Sequence, residues 1–595
     1  MPTYKAPLDD IRFVLVDLLD VGQLASLPGY EESTADVLLS VLEEGGRFCE
    51  EVLAPLNQSG DQEGCHFEDG KVTTPAGFRE AYEAYTQAGW PAMTARPENG
   101  GQGLPHITRL VFDELLCSSN LSFSMYPELG HGVTALLERW AGDDLKQRYL
   151  PRLVDGSWGG TMCLTEPQAG TDLGLITTRA EEAGDGSYRV SGTKIFISAG
   201  DHDLTENIIH LVLARLPDAP EGTRGISLFL VPKRLPNADG SAGEANGVNV
   251  GSIEHKMGIK ANSTCVLNFD GSAAWLVGER HKGLRVMFTM MNGARLGVGM
   301  QGLGLAEVAY QNALIYSHDR LQGRAMRGAT NPEGDADPIM VHPDVRRMIV
   351  TQRAYVEGMR ALSYWVGLLS DVEEKHPDAT RRAEAEDLVA LMTPIIKAFL
   401  TDVGFEVTNL ALQCYGGHGY IREFGMEQFV RDARIAQIYE GTNGVQAMDL
   451  VGRKLPEDDG RLVKRFLALM QPDVEGALAG SDDLVRDLAA QLGRAIQSLQ
   501  ETTMGIASRA RKDPDELGAA AVDYLRQFGL VATGWMWLRM ARVASEKLAA
   551  GSGDTDFLNA KLATARFYFA RLMPQVRALQ AVIGSGAGPV MDGTS

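Results

Sequence analysis

One acid in this chain stands where a catalytic base would be useful. In Ile438-Tyr-Glu-Gly-Thr-Asn443, Glu440 lies between two helical stretches, directly before Val445-Gln-Ala-Met-Asp-Leu-Val451. A glutamate starts near pKa 4.3 in water, and excluding water from around it raises that value into a range useful for taking a proton. Read locally, the same carboxylate is a charge that stabilises the positive end of the following helix, and local spacing alone favours that role.

Two other segments concentrate ligand-binding chemistry. Cys163-Leu-Thr-Glu-Pro-Gln-Ala-Gly-Thr-Asp172 combines hydroxyls, acids and a glycine in a loop. Pro and Gly fix its path, while Thr165 and Thr171 offer hydroxyl and backbone donors to an electron-rich ligand; by composition alone it is a polar turn. Gln413-Cys-Tyr-Gly-Gly-His-Gly-Tyr420 ends a helix with three glycines in four positions. A helix C-cap needs one glycine, so the extra two leave bare backbone that a phosphate can approach.

A literal G-x-G-x-x-G at Gly297, Gly299 and Gly302 invites a dinucleotide-binding assignment. That fingerprint requires a preceding strand and a helix opening at the glycines. Here the flanks read as helix on both sides, so close helix packing explains the glycines better.

The elements that must position these residues follow from periodicity. Helical patterns cover Thr34–Val52 and Val133–Leu153, with a glycine-rich loop at Arg96–Pro105 between them. Short β-branched runs follow at Tyr188–Ser191, Ile208–Ala214, Ile226–Val231 and Thr264–Phe269. Helical spacing returns over Ala306–Arg320, Val345–Leu369, Ala383–Leu412 and Met426–Ile435. An acidic connector at Leu455–Gly460 leads into further helices that run to about Ile583. The order is helices, strands, helices and a second helical segment, which is not the alternation of a doubly wound sheet.

At 595 residues the chain can hold three or four structural units and bury a large cofactor. A formal net charge of −22 disfavours nonspecific nucleic-acid binding, and an anionic ligand would need a local basic patch. Six dispersed cysteines without a Cys-x-x-Cys pair suggest neither a metal site nor a disulfide framework. The N-terminal sequence has no apolar signal core, and no run approaches the roughly 18 apolar residues of a membrane span. A cytoplasmic protein with reduced thiols is expected. Leu530–Ala549, with Trp535, Met536 and Trp537, reads as core packing ahead of membrane attachment.

Thr-Glu-Pro-x-Ala-Gly-Thr-Asp, Gln-x-x-Gly-Gly-x-Gly-Tyr and Ile-Tyr-Glu-Gly-Thr-Asn, in this order and spacing, resemble the acyl-CoA dehydrogenase family over residues 35–454. The resemblance implies an α+β multidomain fold. Laid onto this chain it gives an arm (1–34), an N-terminal α-helical domain (35–159), a middle β-domain (160–282), a helical bundle (283–454) and an additional C-terminal helical domain (461–595). The last segment, with the opening Tyr4-Lys-Ala-Pro-Leu8, is similar to the large subgroup that includes methylthiopropanoyl-CoA dehydrogenases. Members of that subgroup are dimers.

By this resemblance FAD is the cofactor, held between the middle and last domains and across a subunit interface. Glu440 is the base that takes the pro-R α-proton of an acyl-CoA while the β-hydride passes to flavin N5. The thioester carbonyl is hydrogen-bonded by the Glu440 backbone N–H and a flavin ribityl hydroxyl, in the manner of an oxyanion hole. Cys163, Leu164, Thr165, Gly170 and Thr171 contact the flavin, and Thr171 also lies near the CoA. Phe196-Ile197-Ser198 covers the isoalloxazine ring; Phe196 keeps the stacking of a commoner Trp but loses its indole donor. Arg320, Gln322, Gln413, Gly416 and Gly417 clamp pyrophosphate and adenosine from the partner subunit, and Thr442 and Asn443 cap the helix facing the flavin phosphates. Asn292, Arg295, Tyr439 and Gly441 align with substrate-side positions, Asn292 replacing a common Asp. Leu175 and Gln428 also depart from the usual residues, away from the chemistry.

The implied activity is desaturation of an acyl-CoA thioester to the trans-2-enoyl-CoA, with 3-methylthiopropanoyl-CoA or a straight-chain acyl-CoA as substrate and electron-transfer flavoprotein as acceptor. No metal is implied. Two alternatives share the fold: an acyl-CoA oxidase that returns electrons to oxygen, and a noncatalytic flavoprotein that associates with DNA. The acidic balance and the nearly neutral tail weigh against the second.

Overall fold

The computed structural model describes residues 2–593. Two compact units divide it, each assembled from segments distant in sequence: Met1–Gly46, His106–Ser118 and Val298–Ser595 form one, Arg47–Pro105 and Ser119–Gly297 the other.

The second unit is organised by seven strands: β1 (Trp158–Cys163), β2 (Arg179–Glu182), β3 (Tyr188–Ser198), β4 (Asn207–Arg215), β5 (Ile226–Pro232), β6 (Val248–Ile253) and β7 (Thr264–Leu276). Their spatial order is β6-β7-β3-β2-β4-β1, and β5 pairs with both β4 and β7, closing the path β7-β3-β2-β4-β5 on itself. Side chains alternate across a strand, so a strand between two cores must be apolar at every position. β4 and β5 come close to this, with buried His210 and Ser227 among the exceptions within their buried stretches. Ile209, Leu211, Leu213, Leu228 and Leu230 pack in one cluster with Leu136 and Tyr149. Val212, Ala214, Phe229 and Val231 pack in the other with Val190 and Phe269. The single helix expected over 133–153 is interrupted: His106–Trp140 ends at extended Ala141 and Gly142, and Asp143–Val154 begins anew with two acids in its first turn. Those acids favour a helix N-terminus at that point, and periodicity does not register them.

In the first unit, the part of helix Gly283–Asp319 beyond residue 298 packs against helix Ala379–Cys414. The G-x-G-x-x-G glycines are mid-helix. A Cβ at Gly299 would stand 2.6 Å from Ile396 Cγ2, and one at Gly302 would stand 2.5 Å from the Leu400 carbonyl oxygen. Small residues are therefore needed for backbone approach. Helix Ala379–Cys414 is long and apolar enough to cross a membrane, against the expectation that no run approaches that length, but 78% of its apolar window is buried inside the protein. It is the central helix of a bundle.

The helices after Arg461 belong to the same unit as the bundle. Trp537 Nε1 donates to the Ala354 carbonyl at 2.9 Å, and Trp535 meets Trp365 edge-on at 5.0 Å. Trp535, Met536 and Trp537 are buried, as core packing requires. Charges deepen the join. Buried Arg360 pairs with Asp10, Glu114 and Glu307, while buried Lys561 pairs with Asp10 and with Glu357. Asp10 thus ties the N-terminal arm to both the bundle and the C-terminal helices, and losing Arg360 would strip buried Glu114 and Glu307 of their cation.

Gly302→Ala should lower unfolding stability by about 1–3 kcal/mol, because backbone carbonyl atoms at Leu400 cannot yield as a side chain can. Denaturant unfolding of the variant against the parent chain measures it.

Candidate active site

In the first unit, Glu440 occupies a turn between helix Met426–Ala436 and helix Asn443–Asp449. Its φ is +54° and that of Gly441 is +83°. Left-handed backbone costs a side-chain-bearing residue roughly 1–2 kcal/mol and persists only where surroundings over-determine it, most often at functional sites. The surroundings here are explicit. Thr442 caps the second helix, its Oγ1 accepting from Val445 N at 3.3 Å. The Asn443 backbone N–H donates to Gln437 O at 3.1 Å, and Gln446 Nε2 donates to Gly441 O at 3.3 Å. Asn443 Oδ1 accepts from Lys397 Nζ at 2.8 Å, while its Nδ2 donates to Asp402 Oδ1 at 2.7 Å and Thr401 Oγ1 at 2.9 Å. Gln437 Nε2 reaches the same Asp402 oxygen at 2.7 Å. Both shoulders of the turn are therefore fastened to one face of helix Ala379–Cys414. Just before the base, the Tyr439 hydroxyl donates to Oε1 of buried Gln301.

The glycine-rich segment of the same unit follows Cys414 as a short 3₁₀ turn. Tyr415 stacks on Tyr316 with ring centroids 4.0 Å apart, and the Tyr316 hydroxyl bonds His418 Nδ1 at 2.8 Å. These contacts bring Arg320 and Gln322, which follow helix Gly283–Asp319, to the same end of the bundle as Gln413, Gly416 and Gly417. All five are exposed. Gln428 is buried and donates to Asp432 within its own helix.

In the second unit, the Cys163–Asp172 loop leaves β1 and is pinned beside β3. Ile195 N donates to Thr165 O at 2.9 Å, and Lys194 Nζ donates to Leu164 O at 3.0 Å and to Glu166 Oε1 at 2.8 Å. Glu166 also accepts from the backbone N–H and hydroxyl of both Thr177 and Thr178. Burial alone would push this carboxyl up, but the Lys194 ammonium and the Thr178 and Thr177 donors carry it down to about 2. Arg215 adds a second anchor, donating to the carbonyls of Gly174, Ile176, Pro220 and Gly222. Across from the loop, the β3–β7 pairing slips between Cys265↔Ile197 and Leu267↔Lys194, and the bulge places Phe196 at φ +58° with its ring 60% exposed. Bulges re-aim side chains in this way.

Leu164, Thr165, Gly170, Thr171, Phe196 and Ser198 are thus gathered on one loop-and-strand surface with the backbones of Cys163 and Ile197, while the Ile197 side chain, expected over the ring, points into the sheet core. The Cys163 thiol is not part of that surface: it is buried in the sheet core, and burial pushes it up to about 12. Asn292 and Arg295 lie on helix Gly283–Asp319 one turn apart, Arg295 Nη1 donating to Asn292 Oδ1 at 3.2 Å. Leu175 is exposed beyond the loop.

The surfaces suit a flavin dinucleotide. Gly170 and Gly417 have ordinary φ, and a Cβ added to either would meet nothing within 4 Å, so their own fold does not demand glycine. Each leaves an accessible backbone that a phosphate or ring can approach. The exposed Phe196 ring offers a flat apolar face to a planar ligand.

Models of the acyl-CoA dehydrogenase N-terminal, middle and C-terminal domains match residues 39–157, 161–272 and 281–455, and a model described as acetyl-CoA dehydrogenase C-terminal like matches 463–593. A 3-methylmercaptopropionyl-CoA dehydrogenase of Ruegeria pomeroyi is 43% identical over 97% of each chain. The chain belongs to the acyl-CoA dehydrogenase family. A butyryl-CoA dehydrogenase of Syntrophomonas wolfei is 34% identical over 96% of this chain and 95% of that one. The solved structure of Caenorhabditis elegans ACDH-11 in complex with C11-CoA shares the fold, with TM-score 0.79, 19% identity and coverage of 100% of this chain and 96% of that one. As a member of the family this chain is an FAD-dependent oxidoreductase acting on a CH–CH bond.

Sequence reasoning passed over Lys194, Arg215, Gln301, Lys397 and Asp402. The available signal was Lys397, the one charged residue in the apolar run Leu388–Leu400.

Lys194→Met should destabilise the fold by about 3–5 kcal/mol, because it strands Glu166 in the interior. In the parent chain Glu166 titrates below its ordinary 4.5, so its contribution is complete above that pH and is lost as pH falls toward about 2. Unfolding measured between pH 7 and pH 3 should show that loss in the parent chain and not in the variant.

Proposed function

We propose that this protein desaturates an acyl-CoA thioester between its α and β carbons, with Glu440 as the α-proton base. The observation that carries the reading is the Glu440 turn: a carboxylate held in left-handed backbone by two fastened shoulders, in a chain that aligns end to end with acyl-CoA dehydrogenases.

The turn does two things for the reaction. In this reading it fixes the direction of the carboxylate, and the Glu440 backbone N–H, at a helix entrance, would donate to the thioester carbonyl. A hydrogen bond there stabilises the negative charge that develops as the α-proton leaves. Closure of the acyl chain around the carboxylate would exclude water and raise its pKa toward working range. When bound, FAD supplies the acceptor for the β-hydride. Gly170, Thr165, Thr171 and the Phe196–Ser198 segment would hold the ring system, and Arg320, Gln322, Gln413, Gly416 and Gly417 the pyrophosphate and adenosine of a partner subunit's FAD in a dimer. Asn443 serves this arrangement through its backbone, since its side chain is engaged by helix Ala379–Cys414.

For the acyl group we favour 3-methylthiopropanoyl-CoA, with short straight-chain acyl-CoAs as secondary substrates; the support is similarity to the Ruegeria and Syntrophomonas enzymes. Electron-transfer flavoprotein is the proposed acceptor. Six free thiols suit a reducing cytoplasm.

Glu440→Gln should retain FAD and lose about 10²–10⁴-fold in desaturation. Turnover of 3-methylthiopropanoyl-CoA and butyryl-CoA with an artificial acceptor, normalised to bound flavin, measures it. Near-normal turnover would place the base elsewhere, and rapid peroxide formation in air by the parent chain would make it an oxidase.

A further inference from the structure

Lys397 is fully buried at the centre of the apolar helix Ala379–Cys414. Burying an ammonium is costly, and a well-packed apolar side chain fills such a position at lower cost. What the charge gains is a polar neighbourhood at the entrance of helix Asn443–Asp449. Its Nζ donates to Asn443 Oδ1 at 2.8 Å, and with that oxygen engaged the Asn443 amide is oriented to donate to Asp402 at 2.7 Å. Asp402 takes Gln437 from the other shoulder of the same turn, at 2.7 Å. The chain of contacts runs Lys397–Asn443–Asp402–Gln437, and Glu440 is the residue it brackets.

We propose that Lys397 is a positioning residue for the base: it orients the Asn443 amide, and through it holds the left-handed turn that aims the Glu440 carboxylate and backbone N–H. The proposal rests on Glu440 being the base. Asn443 is one means by which a buried cation on one helix acts on the turn that carries Glu440. Without Nζ, Asn443 Oδ1 loses its charged donor and keeps only the longer bond from Thr401 Oγ1 at 3.3 Å, while Nδ2 still reaches Asp402, Thr401 and the Ala398 carbonyl, so one shoulder of the turn is loosened while the bundle around it stays packed. Displacing a reacting group by about 1 Å costs on the order of 100-fold in rate, so a small loss of order is a large loss of turnover.

The test compares Lys397→Met, which preserves length and packing, with Asn443→Ser, which removes that contact together with the amide's bonds to Ala398, Thr401 and Asp402, and with Glu440→Gln. Each full-length, FAD-loaded protein is assayed with butyryl-CoA and 3-methylthiopropanoyl-CoA, and kcat is expressed per bound flavin. Lys397→Met should lower kcat by about 100-fold with KM within about threefold, and the Lys397→Met/Asn443→Ser double variant should be no worse than the more affected single variant, because both break one path. A merely structural lysine would reduce the yield or thermal midpoint of folded protein and leave kcat per flavin unchanged. That result, with Glu440→Gln inactive, overturns the positioning role and leaves the base assignment standing. An active Glu440→Gln overturns both. If Lys397→Met does not fold, Asn443→Ser alone is read by the same criteria: a fall in kcat at constant KM supports the path, and an unchanged kcat overturns it.

Discussion

The arrangement depends on holding one acidic residue in a backbone conformation that acidic residues avoid. Glu440 and Gly441 are consecutive left-handed residues, and only the second is a glycine. A free chain would relax the first. Here relaxation is resisted at both ends, because Gln437 before the turn and Asn443 after it converge on the same Asp402 oxygen. That oxygen belongs to a helix which cannot shift easily: Gly299 and Gly302 on its neighbour have already brought the two backbones to the closest approach that packing permits. Precision at the turn is thus inherited from helix packing, and the glycines that resemble a dinucleotide fingerprint serve the site indirectly.

The second unit solves a similar problem with charge. The Cys163–Asp172 loop has little apolar surface with which to fix itself, so a buried Lys194–Glu166 pair and the Arg215 fork of carbonyl contacts hold it from behind. In both units the polar groups that fasten the turn and the loop are engaged internally, while the parts offered outward include bare backbone at Gly170 and Gly417, the exposed ring of Phe196 and the exposed side chains of Arg320, Gln322 and Gln413. Pre-formed surfaces of this kind bind a ligand with little cost of reorganisation. The helices beyond Arg461 contribute by closure. Lys561 and Asp10 lock both chain ends into the bundle through ion pairs that are expensive to break.

Much of this was legible in the sequence, and the reason differs by element. The helix–strand–helix order followed from periodicity, and the strands β4 and β5 were visible as largely apolar runs, interrupted by His210 and Ser227, because both of their faces are buried. The three motifs revealed the family because they combine positions of left-handed backbone, as at Gly416 and Gly441, with glycines such as Gly170 and Gly417 that their own fold does not demand. The Ala141–Gly142 break was missed because apolar spacing continues across it, and the membrane-length window in helix Ala379–Cys414 because its apolar residues are interrupted by Thr393, Pro394 and Lys397. The supporting residues were harder still. Lys194, Arg215 and Asp402 act through partners tens of residues away, and nothing in local spacing distinguishes them from solvated charges. Lys397 alone carried a readable sign, a charge where hydrophobicity predicts none.

The most direct test of the base assignment is a structure of the FAD-loaded protein with a bound, non-desaturable acyl-CoA analogue. The account predicts a Glu440 carboxylate oxygen within about 3–3.5 Å of the substrate α-carbon, with the Glu440 backbone N–H on the thioester carbonyl. A different carboxylate at the α-carbon, or a Glu440 directed away from it with the turn intact, would contradict it.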